Sequence, residues 1–520
     1  MSDKKPNIMI IMTDQQRADL RKSCGYELDT MPFLDEWARG GVDFESAYTP
    51  NPTCMPARVS MMTGRYSECH QVRTNHNLVD ALYTEDLPEL LKRNGYVTAL
   101  CGKNHSHHSP EDFDFHETTG HLGNEGEINT TEEEIAFADF LCSTNHMEMH
   151  APSPGGVTVQ HPYRNVSSAL KFIDSVKNEQ PFFAWVSFAE PHNPYQVPEP
   201  YFDLFPPEKL PPLHSSVEDL EGKGERFTWL RRVWERVLGE NIEDRILRAR
   251  SNYHGMLRLI DDQVKRLIEG LKERGLEDDT IVIYVSDHGD FVGEYGLIRK
   301  GPDLPDILTH IPMIWKGPGI APQGKRGSCF VSLIDIFPTI CDIIGAKTPF
   351  GCQGKSILPL LKNCDIPEKE YDTAYAESGF SGLYWNEEDG LTPPAEDAVS
   401  QAWDRFDCLN TWTQCGQVRA LWKGNYHIQV DMMGTGYLYD RENDPYELYN
   451  LWDKKELLPV KTELLTELTA AMLKAADPIP APHNRYRTKI HPKGYWYQEW
   501  NCDDPGVRDM KPVGSRIFKK

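Results

Sequence analysis

The sequence predicts an α/β fold in which helices flank a large, mostly parallel sheet. Three apolar runs, at residues 8–12, 181–188 and 280–286, are bounded by turn residues and show no polar alternation. Such runs are typical of strands that are buried on both faces, as in a parallel sheet. Segments with helical spacing lie between them, which favours strand–helix–strand units. With 520 residues, the chain can form one large domain and a smaller one.

Composition and charge exclude several classes of protein. The formal net charge of −24 argues against nucleic-acid binding, because phosphate backbones require clustered lysine and arginine. The chain has no run of about 18 or more apolar residues, so we predict no membrane association. The 12 cysteines stand singly without a C-x-x-C pair, and the N-terminal apolar run lacks a small-residue cleavage site. We therefore expect reduced thiols and a cytoplasmic location.

Periodicity predicts the remaining elements in chain order. Helical spacing occurs at residues 31–40, 85–95, 166–176 and 246–271, in one further segment after residue 218, and from residue 335 onward. Strand patterns occur at residues 96–101, 310–315 and 374–377, and we assign the last of these to the main sheet. The acidic stretch 109–156 has no clear period and is predicted to be a surface excursion or lid.

The segment 51–65 carries the strongest indication of chemistry. Cys54, Pro56 and Arg58 alternate at the start of a helix that Gly64 would end. Free N–H groups and the helix dipole at such a start favour an anion and lower the pKa of a thiol. Arg58, about one turn on, could direct its guanidinium fork at a tetrahedral oxyanion. A sulfate or phosphate site accounts for this pattern about as well as a buried cysteine with an arginine in a surface ion pair.

Polar side chains also follow four of the predicted strands. They are Asp14, then Lys103 with His105, then His192, and finally Asp287 with His288. Singly, each fits a turn or a cap, but the carboxyl ends of parallel strands meet at one edge of a sheet, where open α/β sheets bind ligands. An Asp-His pair offers a carboxylate oxygen and an imidazole to a metal ion. We leave the adjacent His107 and His108 unassigned, because the sequence enforces no ligand geometry around them.

The motif C-x-P-x-R at residues 54–58, followed by T-G-R at 63–65, resembles the signature of the type I sulfatases of the alkaline-phosphatase-like superfamily. Phosphonate monoester hydrolases are similar. The resemblance implies that Cys54 is oxidised to formylglycine, whose hydrated aldehyde is the nucleophile. Met62 stands where the family usually has Leu, which conserves volume. A thiolate phosphatase is disfavoured, because its arginine lies six residues after the cysteine, where this chain has Ser60.

The resemblance implies one divalent metal ion. Its ligands would be Asp14, Gln15, the side chain at Cys54, Asp287 and His288. Gln15 stands where the family often has a second Asp, so its assignment is the weaker one. The sulfatase analogy favours Ca²⁺, the phosphonate analogy favours Mn²⁺, and Mg²⁺ is compatible with both.

The same resemblance assigns catalytic groups around the metal. Arg58, Lys103, His192 and Lys300 would contact the sulfate oxygens. His192 or Lys300 would protonate the leaving alcohol, and His105 would remove a proton from the second hydroxyl of the nucleophile. The expected substrate is a sulfated sugar or another small organosulfate. The expected partner is a formylglycine-generating or anaerobic maturation enzyme. The sequence leaves open whether the protein forms a homo-oligomer.

The resemblance also predicts the domain organisation. Residues 1–380 would form the catalytic domain and residues 381–520 a smaller C-terminal subdomain. In that subdomain, residues 419–430 and 436–440 would form an antiparallel sheet, residues 457–473 a helix, and the aromatic end of the chain a packed tail. The irregular stretches 109–156 and 378–417 would then shape the substrate cleft.

Two other functions stay open at this point. A phosphonate monoester or phosphodiester hydrolase would use the same groups. An inactive carbohydrate-binding relative would keep Cys54 as a thiol and bind no metal ion. We favour hydrolysis of a sulfate monoester, because the chain contains nearly every polar residue that this chemistry needs.

Overall fold

The computed structural model describes residues 5–123, 125–177, 180–327, 329–349, 351–364, 369–381 and 416–476. In these ranges the strands are β1 (Asn7–Asp14), β2 (Val42–Phe44), β3 (Ala47–Tyr48), β4 (Val97–Gly102), β5 (Phe115–Glu117), β6 (Phe182–Pro191), β7 (Thr280–Ser286), β8 (Met313–Lys316), β9 (Gly324–Arg326), β10 (Val331–Ser332), β11 (Thr373–Ser378), β12 (Val418–Lys423), β13 (Tyr426–Asp431) and β14 (Gly436–Asp440).

The helices of the described ranges mostly lie between these strands. They are α1 (Pro32–Ala38), α2 (Cys54–Thr63), α3 (Ser67–His70), α4 (Leu87–Arg93), α5 (Glu132–Ser143), α6 (His161–Ser175), α7 (Tyr201–Leu204), α8 (Glu225–Leu238), α9 (Ile242–Glu273), α10 (Asp306–Thr309), α11 (Ile336–Ile344), α12 (Leu358–Leu361) and α13 (Leu458–Ala475). None of them combines the length and the apolar character that a membrane crossing requires.

The main sheet confirms the predicted α/β fold. Its strand order is β5-β4-β6-β1-β7-β8-β2-β9. The first five strands in this order, β5, β4, β6, β1 and β7, are parallel to one another. Strand β8 runs antiparallel to both β7 and β2, and β9 is parallel to β2. The long, strongly apolar runs of the sequence therefore form the parallel centre of the sheet.

The central strand β1 is buried on both faces. Met9 and Ile11 belong to a core that includes residues of α6 and α9. Ile8, Ile10 and Met12 belong to a second core that includes residues of α2, α4 and α11. Helices therefore cover both sides of the sheet, which explains why the strand shows no polar alternation.

The parallel strands bring their carboxyl ends to one edge of the sheet. Strand β1 ends at Asp14, β4 at Gly102, β6 at Pro191 and β7 at Ser286. The four predicted polar segments begin at or directly after these residues. This edge is where the fold gathers the candidate functional groups.

A second sheet is antiparallel, as predicted for the C-terminal part, and has the order β11-β12-β13-β14. The prediction that residues 374–377 close the main sheet is wrong, because β11 pairs with β12 and not with a strand of the main sheet. Tyr375 faces one core and Ala374 and Ala376 face another, so both faces of β11 are covered. A strand with both faces covered shows a continuous apolar pattern whichever sheet it joins, so the sequence pattern could not tell the two sheets apart. The division at residue 380 stays a prediction, although the second sheet begins before it.

The acidic stretch 109–156 is more regular than predicted. It contains β5 and the helix α5. Thr131 and Glu134 form a capping box at the start of α5, and Phe137 and Leu141 are buried on its inner face. Acidic side chains in the first turn are favourable to a helix, because they face the positive end of its dipole. The predicted aromatic tail and most of the stretch 378–417 lie outside the described residues.

Asp306, the first residue of α10, joins strand β3 to the antiparallel second sheet. Its Oδ1 accepts hydrogen bonds from Tyr48 Oη at 3.0 Å, Trp422 Nε1 at 2.9 Å and Arg441 Nε at 3.1 Å. Tyr48 lies in β3, which pairs with β10 outside the main sheet, and its ring stacks on Trp422 of β12 with centroids 4.5 Å apart. One carboxylate therefore satisfies donors from β3, from β12 and from the residue that follows β14.

We expect Asp306→Ala to lower the free energy of unfolding by about 3–5 kcal/mol, because it removes the partner of the largely buried Arg441 guanidinium. Asp306→Asn keeps an acceptor oxygen and should cost less. Urea denaturation followed by tryptophan fluorescence measures both. Asp453, which is exposed, provides the control, and Asp453→Ala should change stability by less than about 0.5 kcal/mol. Equal stability of the two alanine variants would contradict the anchoring role.

Candidate active site

Residue 54 is the first residue of α2, as the sequence predicts. Thr53 before it has an extended backbone, and Gly64 after the helix adopts φ 64°, a left-handed conformation that glycine accommodates readily. Pro56 lies in the first turn, where its missing N–H leaves no helical hydrogen bond unmade. The Cys54 side chain is 1% exposed, so this helix start lies inside the protein.

Four side chains direct ligand atoms at one point. The ligand atoms of Asp14, Cys54, Asp287 and His288 all lie within 4.8 Å of one another. Cys54 Sγ lies 3.2 Å from His288 Nε2 and 3.6 Å from Asp14 Oδ1. His288 Nε2 lies 3.7 Å from Asp287 Oδ1 and 3.8 Å from Asp14 Oδ1. The convergence predicted for the ends of β1 and β7 and the start of α2 is therefore present.

Arg58 orients the two carboxylates of this group. Its Nη2 donates to Asp14 Oδ2 at 3.1 Å, and its Nε donates to Asp287 Oδ2 at 2.9 Å. Each carboxylate thus uses one oxygen for Arg58 and turns the other toward the shared point. His288 Nδ1 lies 2.9 Å from the Gly289 carbonyl oxygen. If Nδ1 carries the proton, Nε2 presents its lone pair to the same point.

The remaining donor of Arg58 is also used within the protein. Nη1 donates to Ser187 Oγ at 2.8 Å and to the Lys103 carbonyl oxygen at 3.2 Å. The alternative of a surface ion pair is wrong, because Arg58 is fully buried. A guanidinium fork directed straight at an anion is not the observed arrangement either, since the fork faces the two carboxylates. Contact between Arg58 and a substrate stays a prediction.

The donor set fits a divalent metal ion. Two carboxylate oxygens and one imidazole nitrogen are ligands that such ions accept, and the side chain of residue 54 faces them. Gln15 is bonded to other groups: its Oε1 accepts from Lys300 Nζ at 2.9 Å and its Nε2 donates to Asp290 Oδ2 at 2.5 Å. Its backbone N–H donates to Asp287 Oδ1 at 3.0 Å. Gln15 therefore borders the site, and its role as a ligand stays a prediction.

Positive charge surrounds residue 54. Lys300 Nζ lies 3.5 Å from Cys54 Sγ, and Lys103 Nζ contacts Asp14. Burial alone would raise the pKa of the Cys54 thiol, and Asp14 acts in the same direction, but Lys300 and Lys103 outweigh both and lower that pKa. Burial would also raise the pKa of Asp14, yet Lys103 and Arg58 hold it well below its usual value. The pocket thus favours anionic groups although the chain as a whole is strongly acidic.

The two predicted histidines border these lysines. His192 Nε2 lies 3.3 Å from Lys300 Nζ. Burial, helped by Lys300, lowers the pKa of His192 well below its usual value, and burial with Lys103 does the same for His105. Both rings are therefore neutral near pH 7. His105 adopts φ 45°, so the chain turns there and does not continue as an extended stretch from Lys103.

His121 is a site residue that the sequence did not reveal. Its Nε2 lies 2.5 Å from Lys103 Nζ. Its ring stacks on His192 with centroids 4.0 Å apart and meets His105 edge-on at 5.4 Å. No local signal could have identified it, since it lies in an irregular acidic stretch and reaches the site only through the fold.

Asp290 is a second missed residue. It accepts hydrogen bonds from Gln15 and from Tyr195 Oη, the latter at 2.7 Å, and is fully buried. A signal existed in this case, because Asp290 follows the Asp287-His288 pair by two residues. Asp290 therefore holds the carboxamide of Gln15, whose Oε1 accepts a hydrogen bond from Lys300.

Comparisons with known proteins identify the family of this chain. The profile of the family described as Sulfatase matches residues 6–346. An arylsulfatase of Clostridium perfringens is 28% identical over 87% of this chain and 91% of its own length. An uncharacterized sulfatase of Escherichia coli, YidJ, is 27% identical over 94% of this chain and 90% of its own length.

The fold is also found among solved structures. The phosphonate monoester hydrolase of Agrobacterium radiobacter superposes with a TM-score of 0.73, covering 91% of this chain and 96% of its own, at 22% identity. That likeness concerns the fold. The family profile covers well over half of the chain and includes the group at Asp14, Cys54, Asp287 and His288. The chain therefore belongs to the sulfatase family and is a sulfuric ester hydrolase.

Proposed function

We propose that the protein hydrolyses sulfate monoesters of a sugar or another small organosulfate, with a formylglycine made from Cys54 as the nucleophile. The observation that carries the proposal is the position of residue 54. Its side chain adjoins two carboxylates and an imidazole on one side and Lys300 on the other. This is the arrangement that a nucleophile needs when it must contact both a metal ion and an anionic ester.

Asp14, Asp287 and His288 would hold the metal ion, together with residue 54 and with Gln15 as the weaker candidate. The two carboxylates suit Ca²⁺, which we favour, and also Mn²⁺ or Mg²⁺. A bound divalent ion would polarise the nucleophile and offset charge on the ester oxygens. Arg58 keeps both carboxylates oriented, so it acts on the metal site whether or not it also contacts sulfate.

In the first step, one hydroxyl oxygen of hydrated formylglycine 54 attacks sulfur and passes its proton to Asp14, whose Oδ1 lies 3.6 Å from Sγ of residue 54. The bond between sulfur and the alcohol oxygen breaks as the new bond forms. Lys103 and Lys300 hold the sulfate oxygens and stabilise the developing charge. The leaving alcohol needs a proton. Because burial keeps His192 neutral, Lys300 is the better proton donor, and His192 lies within reach to accept a proton or return one.

In the second step, His105 removes the proton of the remaining hydroxyl on formylglycine 54. The electron pair of that O–H bond forms the C=O bond of the aldehyde, while the bond between carbon and the sulfate oxygen breaks. Inorganic sulfate leaves, and water hydrates the aldehyde again. A neutral His105 is in the protonation state that this base requires.

His121 is a positioning residue in this scheme. Its neutral ring accepts from the Lys103 ammonium and stacks on His192. It therefore fixes a sulfate-binding group and a proton-transfer group relative to each other. Such supporting contacts typically change activity by about 10–100-fold when they are removed.

The phosphonate monoester or phosphodiester hydrolase is the second candidate. The observation that favours it is the imidazole of His288 in the ligand set, together with the likeness in fold to a phosphonate monoester hydrolase. An inactive carbohydrate-binding relative has less support, because the buried groups of the site form one connected set. Maturation of Cys54 by a dedicated enzyme, cytoplasmic location and homo-oligomer formation stay predictions.

Turnover of a substrate panel tests the reaction class. We expect sulfate monoesters to be hydrolysed with kcat/KM at least about tenfold above aryl phosphonate monoesters and phosphodiesters, because a sulfate monoester offers three unesterified oxygens to the lysines and the metal site, whereas the other two classes offer two. Initial rates on aryl sulfates, sulfated monosaccharides, phosphonates and diesters measure this order. Arg58→Lys serves as the active-site control and should lower every rate. Preference for the phosphonates would support the second candidate.

Formylglycine at residue 54 is tested by mass and by chemistry. The peptide that contains residue 54 should be lighter than the unmodified cysteine peptide and should react with a hydrazide probe for aldehydes. Cys54→Ala should abolish both the probe reaction and turnover, since it removes the nucleophile. Cys101→Ala is a matched control at another buried cysteine. An active protein whose residue 54 is an intact thiol would refute this assignment.

His121→Phe is expected to lower kcat/KM by about tenfold or more, because phenylalanine keeps the stacking surface but cannot accept from Lys103. His121→Gln keeps an acceptor and should retain more activity than His121→Phe. Steady-state kinetics on an aryl sulfate measures both variants, with the exposed His116→Gln as the control. If glutamine and phenylalanine have equal effects, His121 does not act through Lys103.

A further inference from the structure

A second buried group of ligand-type side chains lies outside the site described above. The ligand atoms of Asp86, His107 and His108 all lie within 4.8 Å of one another. Asp86 Oδ2 lies 3.0 Å from His107 Nε2 and 3.6 Å from His108 Nε2. The three side chains are at most 3% exposed. Two imidazole nitrogens are thus directed at the same carboxylate oxygen.

Hydrogen bonding does not account for this arrangement completely. His107 Nε2 is within hydrogen-bond distance of Asp86, but His108 Nε2 is buried and has no hydrogen-bond partner among the described residues. A buried polar nitrogen without a partner costs free energy, so native proteins rarely keep one without a reason. A bound cation between the three groups would use that nitrogen.

We propose that Asp86, His107 and His108 form a second metal site, which takes Zn²⁺. Zinc bonds of about 2.0–2.1 Å in a tetrahedron place neighbouring ligand atoms about 3.3 Å apart, close to both observed separations. Two imidazoles and one carboxylate suit zinc, whereas Ca²⁺ and Mg²⁺ prefer oxygen ligands throughout. A water molecule would complete four ligands. Asp112 Oδ2, 3.8 Å from His108 Nδ1, is placed to orient that ring from outside.

The site would connect two elements that matter to the catalytic site. Asp86 Oδ1 accepts from the Glu89 N–H at 3.0 Å and so caps the start of α4. The two histidines follow closely on Lys103 and His105 in the same loop. A zinc ion would therefore fix this loop to the start of α4. Within the loop, Asn104 Nδ2 donates to the His108 carbonyl oxygen at 2.8 Å and so holds the backbone that carries the two histidines. The inference is independent of the reaction proposed for residue 54.

Zinc stoichiometry of the full chain tests the site. Metal-free protein is equilibrated with ZnCl₂, desalted and analysed for zinc by mass spectrometry. We expect the wild type to retain one zinc more than His108→Gln, and the affinity of that zinc to fall more than about 100-fold in the variant, since a direct ligand matters more than an outer contact. The exposed His116→Gln is the matched control and should retain zinc like the wild type.

X-ray absorption at the zinc edge of the wild type provides a readout that needs no variant. A spectrum with imidazole nitrogen and oxygen ligands at the distances of tetrahedral zinc supports the site. Circular dichroism confirms that His108→Gln is folded, and His107→Gln is the second variant if it is not. Equal zinc content in wild type and both histidine variants, or a zinc spectrum without imidazole ligands, would overturn the proposal.

Discussion

The buried guanidinium of Arg58 between Asp14 and Asp287 is the interaction on which the rest of the site depends. Two carboxylates at the ends of neighbouring strands would repel each other inside the protein, and one planar cation compensates both. The fork geometry also decides which oxygen of each carboxylate is free. The helix α2 supplies both this arginine and residue 54, so a single element would set the proposed metal ligands and the proposed nucleophile together.

Local charge explains how an acidic protein can hold an anionic ester. The formal net charge of −24 gives no attraction at long range, which salt would screen in any case. Within the site, however, Lys103 and Lys300 are buried beside residue 54, where each charge acts through a medium of low dielectric. In the proposed function, recognition of sulfate would therefore depend on a few buried groups and not on the surface as a whole.

The loop after β4 links the two groups of metal-type ligands found among the described residues. Its first residues, Lys103 and His105, border the catalytic site, and its later residues, His107 and His108, meet Asp86 at the start of α4. The catalytic group offers two carboxylates and one imidazole, whereas the second group offers one carboxylate and two imidazoles, so the two groups would favour different ions. His121 then joins the same region from the acidic stretch, so a loop without sheet or helix structure is held from three directions.

The amino-acid sequence by itself determined the parallel strands, the start of α2 at Cys54 and its end at Gly64, and the four polar segments at the strand ends. Each of these depends on apolar periodicity or on backbone preferences within a few residues, which are local properties. Tertiary structure alone decided that β11 joins the second sheet, that Arg58 faces two carboxylates, and that His121 reaches Lys103. These features depend on which groups lie opposite one another in space, and a strand pattern or a charged side chain does not specify its partner.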